Sequence, residues 1–129
     1  MAFWNAPIED PDHEQHAVQA AIDMQKELLK LNQQLAAEGL PTIAIGLGIN
    51  TGEALVGNMG SDQRFDYSVI GDAVNLAARL ESSSKTLGKT VIIGEKTYNA
   101  ATYNYNFDYI DSIMVKGKTE SVKVYSINY

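Results

Sequence analysis

The 129-residue sequence has no cysteine. Disulfides and thiolate metal sites are therefore excluded, and the composition suits a reducing compartment. It also lacks positive charge: 10 Lys and Arg stand against 16 Asp and Glu, leaving a net charge of −6. A nucleic-acid binder presents a basic stripe; none is visible, so no nucleic-acid partner is expected. Long apolar runs are missing too. A bilayer-spanning helix needs about 20 apolar residues, and nothing here approaches that, so the segment is expected to make no membrane contact. No basic stretch followed by an apolar core opens the chain as a secretion signal would. The expected location is the cytoplasm, free or as the cytoplasmic part of a membrane-bound parent.

What is present is an ordinary globular composition, 45% hydrophobic and 20% charged, at a length typical of one domain. "MAFWNAP" is apolar from its first residue, which leads us to expect a chain that begins inside a larger domain. A helix is predicted from about Pro11 or Asp12 for some 25 residues, because Ala21, Met24, Leu28, Leu31 and Leu35 recur at steps of three and four. Gly39 and Pro41 end it. "TIAIGLGIN" alternates at period two and reads as a strand, with "EALVGNMG" returning beside it as a hairpin. "SDQRFDY" reads as a polar loop. A second helix is predicted from Asp72 to about Leu87, stopped by Gly88. "TVIIG" reads as a short buried strand and "EKTYNAAT" as a brief helix. The last 23 residues read as a hairpin turning at "KGKTE". Helices mixed with antiparallel hairpins make the class α+β.

Five glycines, Gly46, Gly48, Gly52, Gly57 and Gly60, crowd fifteen residues. A dinucleotide loop would need glycine where Thr51 stands, and no Lys-Ser/Thr pair follows to make a P-loop. Small residues on one face instead let another backbone approach closely. Asp12, His13, Glu14 and His16 lie together, but they open a solvated helix where acidic residues suit the helix dipole, and no third metal ligand is near in sequence. Asn75 and Arg79 differ. Four residues apart on a helix, they lie one above the other, about 6 Å apart along the axis. Their neighbours Val74, Leu76, Ala77, Ala78 and Leu80 are apolar or small, so the helix should be largely covered and the guanidinium should need a partner. Two partners fit: a surface carboxylate, or an anionic ligand such as a phosphate matched to the arginine fork. Lys116 and Lys118, taken alone, are edge-guarding charges in a hairpin turn.

The stretch "GINTGEALVGNMGSDQRFDYSVIGDAVNLAARLE", with the later "VKGK", closely resembles the catalytic domain of the class III nucleotidyl cyclases, the adenylate and guanylate cyclase family. The bacterial branch with Thr or Ser before "VIGD" is the best match. The resemblance implies a ferredoxin-like, palm-type fold, truncated at its N-terminus. It also implies conversion of ATP to 3′,5′-cyclic AMP and pyrophosphate at the interface of a head-to-tail dimer. By motif, Asn75 would orient the ribose, Arg79 would stabilise charge on the α-phosphate, Lys116 would hold the terminal phosphates, and Ser68 would stand where the purine is read.

The family holds two Mg²⁺ or Mn²⁺ ions with two aspartates, one in a D-I-x-x-F-T-like strand and one just before the position of "MAFW". Neither is among these residues, and Asp66, Asp72 and Asp108 do not occupy the metal positions. Residues 1–129 would thus be a partial catalytic domain with no metal ligand of its own, inactive alone. A homodimer or swapped oligomer is expected to cover the apolar strand edges that a missing first strand would expose. Guanylate specificity is the alternative within the enzyme class. The other alternative is a non-catalytic, cyclase-like module for dimerisation or nucleotide sensing.

Overall fold

A computed structural model describes residues 1–61, 64–114 and 120–129. Along the chain run α1 (His13–Ala37), β1 (Leu47–Ile49), β2 (Leu55–Ser61), β3 (Arg64–Ile70), α2 (Asp72–Leu87), β4 (Val91–Gly94), α3 (Glu95–Ala101), β5 (Asn106–Met114) and β6 (Ser121–Asn128). Four strands form one sheet in the order β1-β4-β6-β5, while β2 and β3 form a separate two-stranded sheet.

Helices cover both faces of the main sheet. On one side Leu80 of α2 packs with Ile92 and Val124, flanked by Leu76, Leu87, Ile110 and Ile113. On the other, Val18, Ala21 and Ile22 of α1 and Ala101 of α3 meet Val91, Ile93, Tyr125 and Ile127. This explains why all four residues of β4 are buried: a strand covered on both faces reads as a continuous apolar run rather than an alternation. Tyr98 stacks on Tyr125 with ring centroids 3.8 Å apart.

The apolar stripe of α1 is only half used. Ala17, Val18, Ala21 and Ile22 are buried, whereas Met24, Leu29 and Leu31 further along are exposed. From the last turns of the helix, the side chain of Asn32 accepts from the Ile43 N–H and donates to the Ile43 carbonyl, both at 2.8 Å.

Two expectations about strands are corrected. "TIAIGLGIN" is strand only over Leu47–Ile49, and it pairs parallel with β4 (Leu47↔Val91 to Ile49↔Ile93) rather than with the segment that follows it. Asn32 has already taken the backbone groups of Ile43, and the side chains of Asn50 and Thr51 are tied to Ala73 and Thr97. "EALVGNMG" pairs instead with β3. Of the polar run 61–67, expected as a loop, Ser61 ends β2 and Arg64–Tyr67 open β3. Asp66 and Tyr67 are exposed, so polarity there reports solvent exposure and not an absence of strand. The C-terminal hairpin forms as expected, with a register shift between Tyr109 and Asp111. Most of its "KGKTE" turn lies outside the described residues.

Candidate active site

The strand β3 runs directly into α2 through Gly71, whose φ of 150° is one that side-chain-bearing residues rarely adopt. A Cβ at this junction would also meet the Ala54 Cα at 3.4 Å. At the far end Gly88, with φ 68°, closes the helix: the Gly88 and Lys89 amides return to the carbonyls of Lys85 and Ser84.

Between these ends, α2 lies against backbone. A Cβ on Gly48 would collide with the Glu81 nitrogen and the Ala77 carbonyl oxygen and sit 2.9 Å from the Leu80 carbonyl carbon. One on Gly46 would strike the Ser84 hydroxyl, and one on Gly52 would come within 2.7 Å of the Ala73 Cβ. Three of the five clustered glycines thus exist to let this helix approach β1 and the turn after it, as the reading of small residues on one face anticipated. The turn adds direct ties that the sequence did not signal beyond its polar residues. Asn50 Nδ2 donates to the Ala73 carbonyl at 2.9 Å, and the hydroxyls of Thr51 and the fully buried Thr97 meet at 2.7 Å.

Seating Ala73, Ala77, Leu80 and Ser84 inward fixes what points outward. Positions 75 and 79 fall on the opposite side of the helix, and Asn75 and Arg79 are both exposed. The expectation of a largely covered helix therefore holds for one face only. Arg79 stays in water, so no buried charge needs neutralising. Among the described residues neither side chain has a hydrogen-bond or ion-pair partner. The arginine's backbone carbonyl accepts from the hydroxyls of Ser82 at 3.0 Å and Ser83 at 2.7 Å.

Ser68 lies in β3, directly across from Gly57 and partly exposed. It is three residues before Gly71, so Ser68, Asn75 and Arg79 occupy one continuous strand-turn-helix unit. Lys116 and Lys118 lie outside the described residues. Among the described residues no group of three or more His, Asp or Glu side chains is arranged to hold a metal ion.

A cavity of about 620 Å³ opens between the N-terminal segment and the β1–α2 pair, lined by Phe3, Trp4, Ile49, Val56, Val74 and Ala77 among others. It runs beside the edge of β1 that faces away from β4, an edge with no strand partner among the described residues.

The histidines near the start of α1 make local pairs. His16 Nδ1 lies 2.6 Å from Asp10 Oδ2 and His13 Nε2 lies 3.0 Å from Glu14. The hydrogen bond to Asp10 raises the pKa of His16 above its usual 6.5 and lowers that of Asp10 below 3.8. The pair stabilises the loop fully only where Asp10 is ionised and His16 protonated. The contribution is present from about pH 4 to 6.5, fades as pH rises through the raised histidine pKa, and fades again as pH falls through the lowered aspartate pKa. An NMR titration of the His16 ring should give a midpoint above 6.5, returning to the ordinary value in Asp10→Asn; an unchanged midpoint in that variant contradicts the pairing.

Known proteins match this arrangement. Adenylate cyclase 1 of Rhizobium meliloti is 32% identical over 127 residues, covering 98% of this chain and 19% of that protein. The crystal structure of the adenylyl cyclase CyaB from P. aeruginosa superposes with a TM-score of 0.87 at 35% identity, over 96% of this chain and 64% of that one. The guanylyl cyclase Cya2 gives 0.84 at 34% identity, over 97% and 62%. The chain thus spans less than two thirds of each solved relative and about a fifth of the curated one. Residues 2–129 match the sequence model described as the adenylate and guanylate cyclase catalytic domain; with a fold and a helix of this kind, the chain belongs to that family.

Proposed function

We propose that this chain is the Asn75- and Arg79-bearing part of an adenylate cyclase catalytic domain, acting on ATP at the interface of two subunits in the cytoplasm. The observation that carries the reading is the exposed amide–guanidinium pair, without a side-chain partner among the described residues, on a helix whose other face is locked to the sheet. In the reaction the ribose 3′-oxygen forms a bond to the α-phosphorus, the bond from that phosphorus to the pyrophosphate oxygen breaks, and the 3′-hydroxyl proton leaves. Charge on the phosphoryl oxygens grows on the way to the transition state, so a fixed cation there lowers the barrier selectively. Arg79 supplies that cation, Asn75 holds the ribose hydroxyl, Ser68 meets the base, and Lys116 receives the terminal phosphates.

Cyclases of this family generally use divalent metals. Among the described residues no group of three or more His, Asp or Glu side chains is placed to hold one. Metal-holding carboxylates would come from outside this segment. The purified chain with ATP and Mn²⁺ is accordingly expected to form no cyclic nucleotide, and light scattering at micromolar concentration is expected to find a dimer or swapped oligomer covering the β1 edge. Cyclic nucleotide from the chain alone would refute the first expectation, and a monomer the second.

The likeness to the guanylyl cyclase Cya2 favours GTP as the second reading. A serine hydroxyl both donates and accepts, so Ser68 suits either purine. Product analysis of the full-length catalytic domain, given ATP and GTP separately, decides: cyclic AMP as the main product supports the adenylate reading, and cyclic GMP replaces it.

A further inference from the structure

Asn75 is placed by its helix alone. Its side chain is exposed and has no hydrogen-bond partner among the described residues, so the aim of the amide depends on how firmly the first turn of α2 is held. That turn starts without a side-chain cap, because Gly71 stands at the N-cap. It is held instead from residues 50–54. Asn50 Nδ2 donates to the Ala73 carbonyl at 2.9 Å. A Cβ on Gly52 would come within 2.7 Å of the Ala73 Cβ, and one on Gly71 would meet the Ala54 Cα and the Glu53 carbonyl oxygen at 3.4 Å. Asp72 aside, the Asn50 bond is the one side-chain hydrogen bond from another part of the chain to α2 among the described residues.

Asn50 is itself fixed from two sides. Its Oδ1 lies over Gly94, the last residue of β4, where a Cβ would sit 2.7 Å from it. Gly94 has an extended backbone, φ −73° and ψ 159°, which any residue adopts, so the reason for glycine there is the room taken by the Asn50 side chain. Next along the chain, the Thr51 hydroxyl meets that of the fully buried Thr97 in α3. A group whose own rotamer is locked holds its partner to a narrow geometry. The stretch around Arg79 is seated separately: Leu80 is fully buried, and the backbone of Ala77 and Glu81 lies over Gly48.

We propose that Asn50 is a positioning residue for the cyclisation: its bond to the Ala73 carbonyl sets the first turn of α2 and so aims the Asn75 amide at the ribose, while Arg79 is held independently by the contacts of Leu80 and Gly48. This rests on the reading of Asn75 as the ribose contact. Asn50 acts through Asn75 rather than on the nucleotide. A turn already fixed spares binding the cost of ordering it, and that saving falls on the part of the ligand that Asn75 meets.

The test is calorimetric titration of the full chain with ATP and, separately, with inorganic tripolyphosphate, which has no ribose. Asn50→Ala removes the donor; the folded variant should bind ATP about fivefold more weakly and tripolyphosphate unchanged. Should that variant fail to fold, Gly94→Ala carries the same test. Its methyl collides with the end of the Asn50 side chain and not with backbone, so the amide swings away from Ala73 while the chain path stays. In an Asn75→Ala background Asn50→Ala should cost nothing more, because positioning acts only through the group positioned. Unchanged ATP affinity overturns the proposal. So does an equal loss for both ligands, or a loss that adds in full to that of Asn75→Ala; either makes Asn50 a residue of the fold alone. If Asn75→Ala weakens ATP while Asn50→Ala does not, the proposed function stands and only the positioning role falls. If Asn75→Ala leaves ATP affinity intact, or the parent binds neither ligand, the ribose reading falls and the positioning role with it.

Discussion

Replacing Arg79 with alanine is expected to lower the rate of cyclic-nucleotide formation by about 10²–10³, or about 2.7–4 kcal/mol of barrier, in a dimer whose site this arginine serves. The side chain is exposed and has no partner among the described residues. Its removal should therefore shift stability by no more than about 0.5 kcal/mol, as surface substitutions generally do. Fold and activity separate cleanly at this position. Arg79→Lys keeps the charge but loses the planar fork, so it should recover only part of the rate. Steady-state kinetics with thermal unfolding of the same samples checks all three. Activity falling only in step with the folded fraction would show that Arg79 serves the fold instead.

Gly48→Ala is the substitution expected to damage the fold most. The added methyl would collide with backbone atoms of Ala77 and Glu81 and sit 2.9 Å from the Leu80 carbonyl carbon. No side-chain rotation relieves a clash with a helix backbone, so α2 must move off β1. Overpacking of this kind costs roughly 1–3 kcal/mol and occasionally more, which for a domain of this size lowers the unfolding midpoint by roughly 5–10 °C. The displacement also carries Asn75 and Arg79 with it, so nucleotide affinity should fall in molecules that remain folded. An unaltered midpoint by differential scanning calorimetry would mean that the helix is not seated on Gly48.

The sequence announced what is local. The span of α1, and that of α2 from Asp72 to the Gly88 that ends it, match the structure because helical spacing and helix-ending glycines are written into neighbouring residues. Strand partners beyond the C-terminal hairpin were not legible. The partner of β1 is β4, some forty residues on, and pairing of that kind is decided by tertiary packing that no local pattern encodes. Asp66 and Tyr67 hid a strand because both are exposed on a two-stranded ribbon, where polar residues are tolerated. The glycine cluster correctly signalled a close neighbour without revealing that the neighbour was α2. The pairing of Asn75 with Arg79 was readable from their spacing. Their common exposure was not, since the apolar residues around them suggested a covered helix. The roles of Asn50 and Thr51 in fixing that helix emerge only once the chain is folded, because Ala73 and Thr97 lie far along the sequence.

The central claim is that this chain presents a guanidinium and an amide to a nucleotide shared with a partner that brings the metal-holding carboxylates. Complementation tests it. The chain would be mixed with the catalytic domain of P. aeruginosa CyaB in which the residue superposing on Arg79 is replaced by alanine, and cyclic AMP would be measured from ATP with Mn²⁺. Neither protein alone should be active, and a co-purifying mixture should regain activity that Arg79→Ala in this chain abolishes. A complex that forms without regaining activity, or one whose activity is indifferent to Arg79, contradicts the claim.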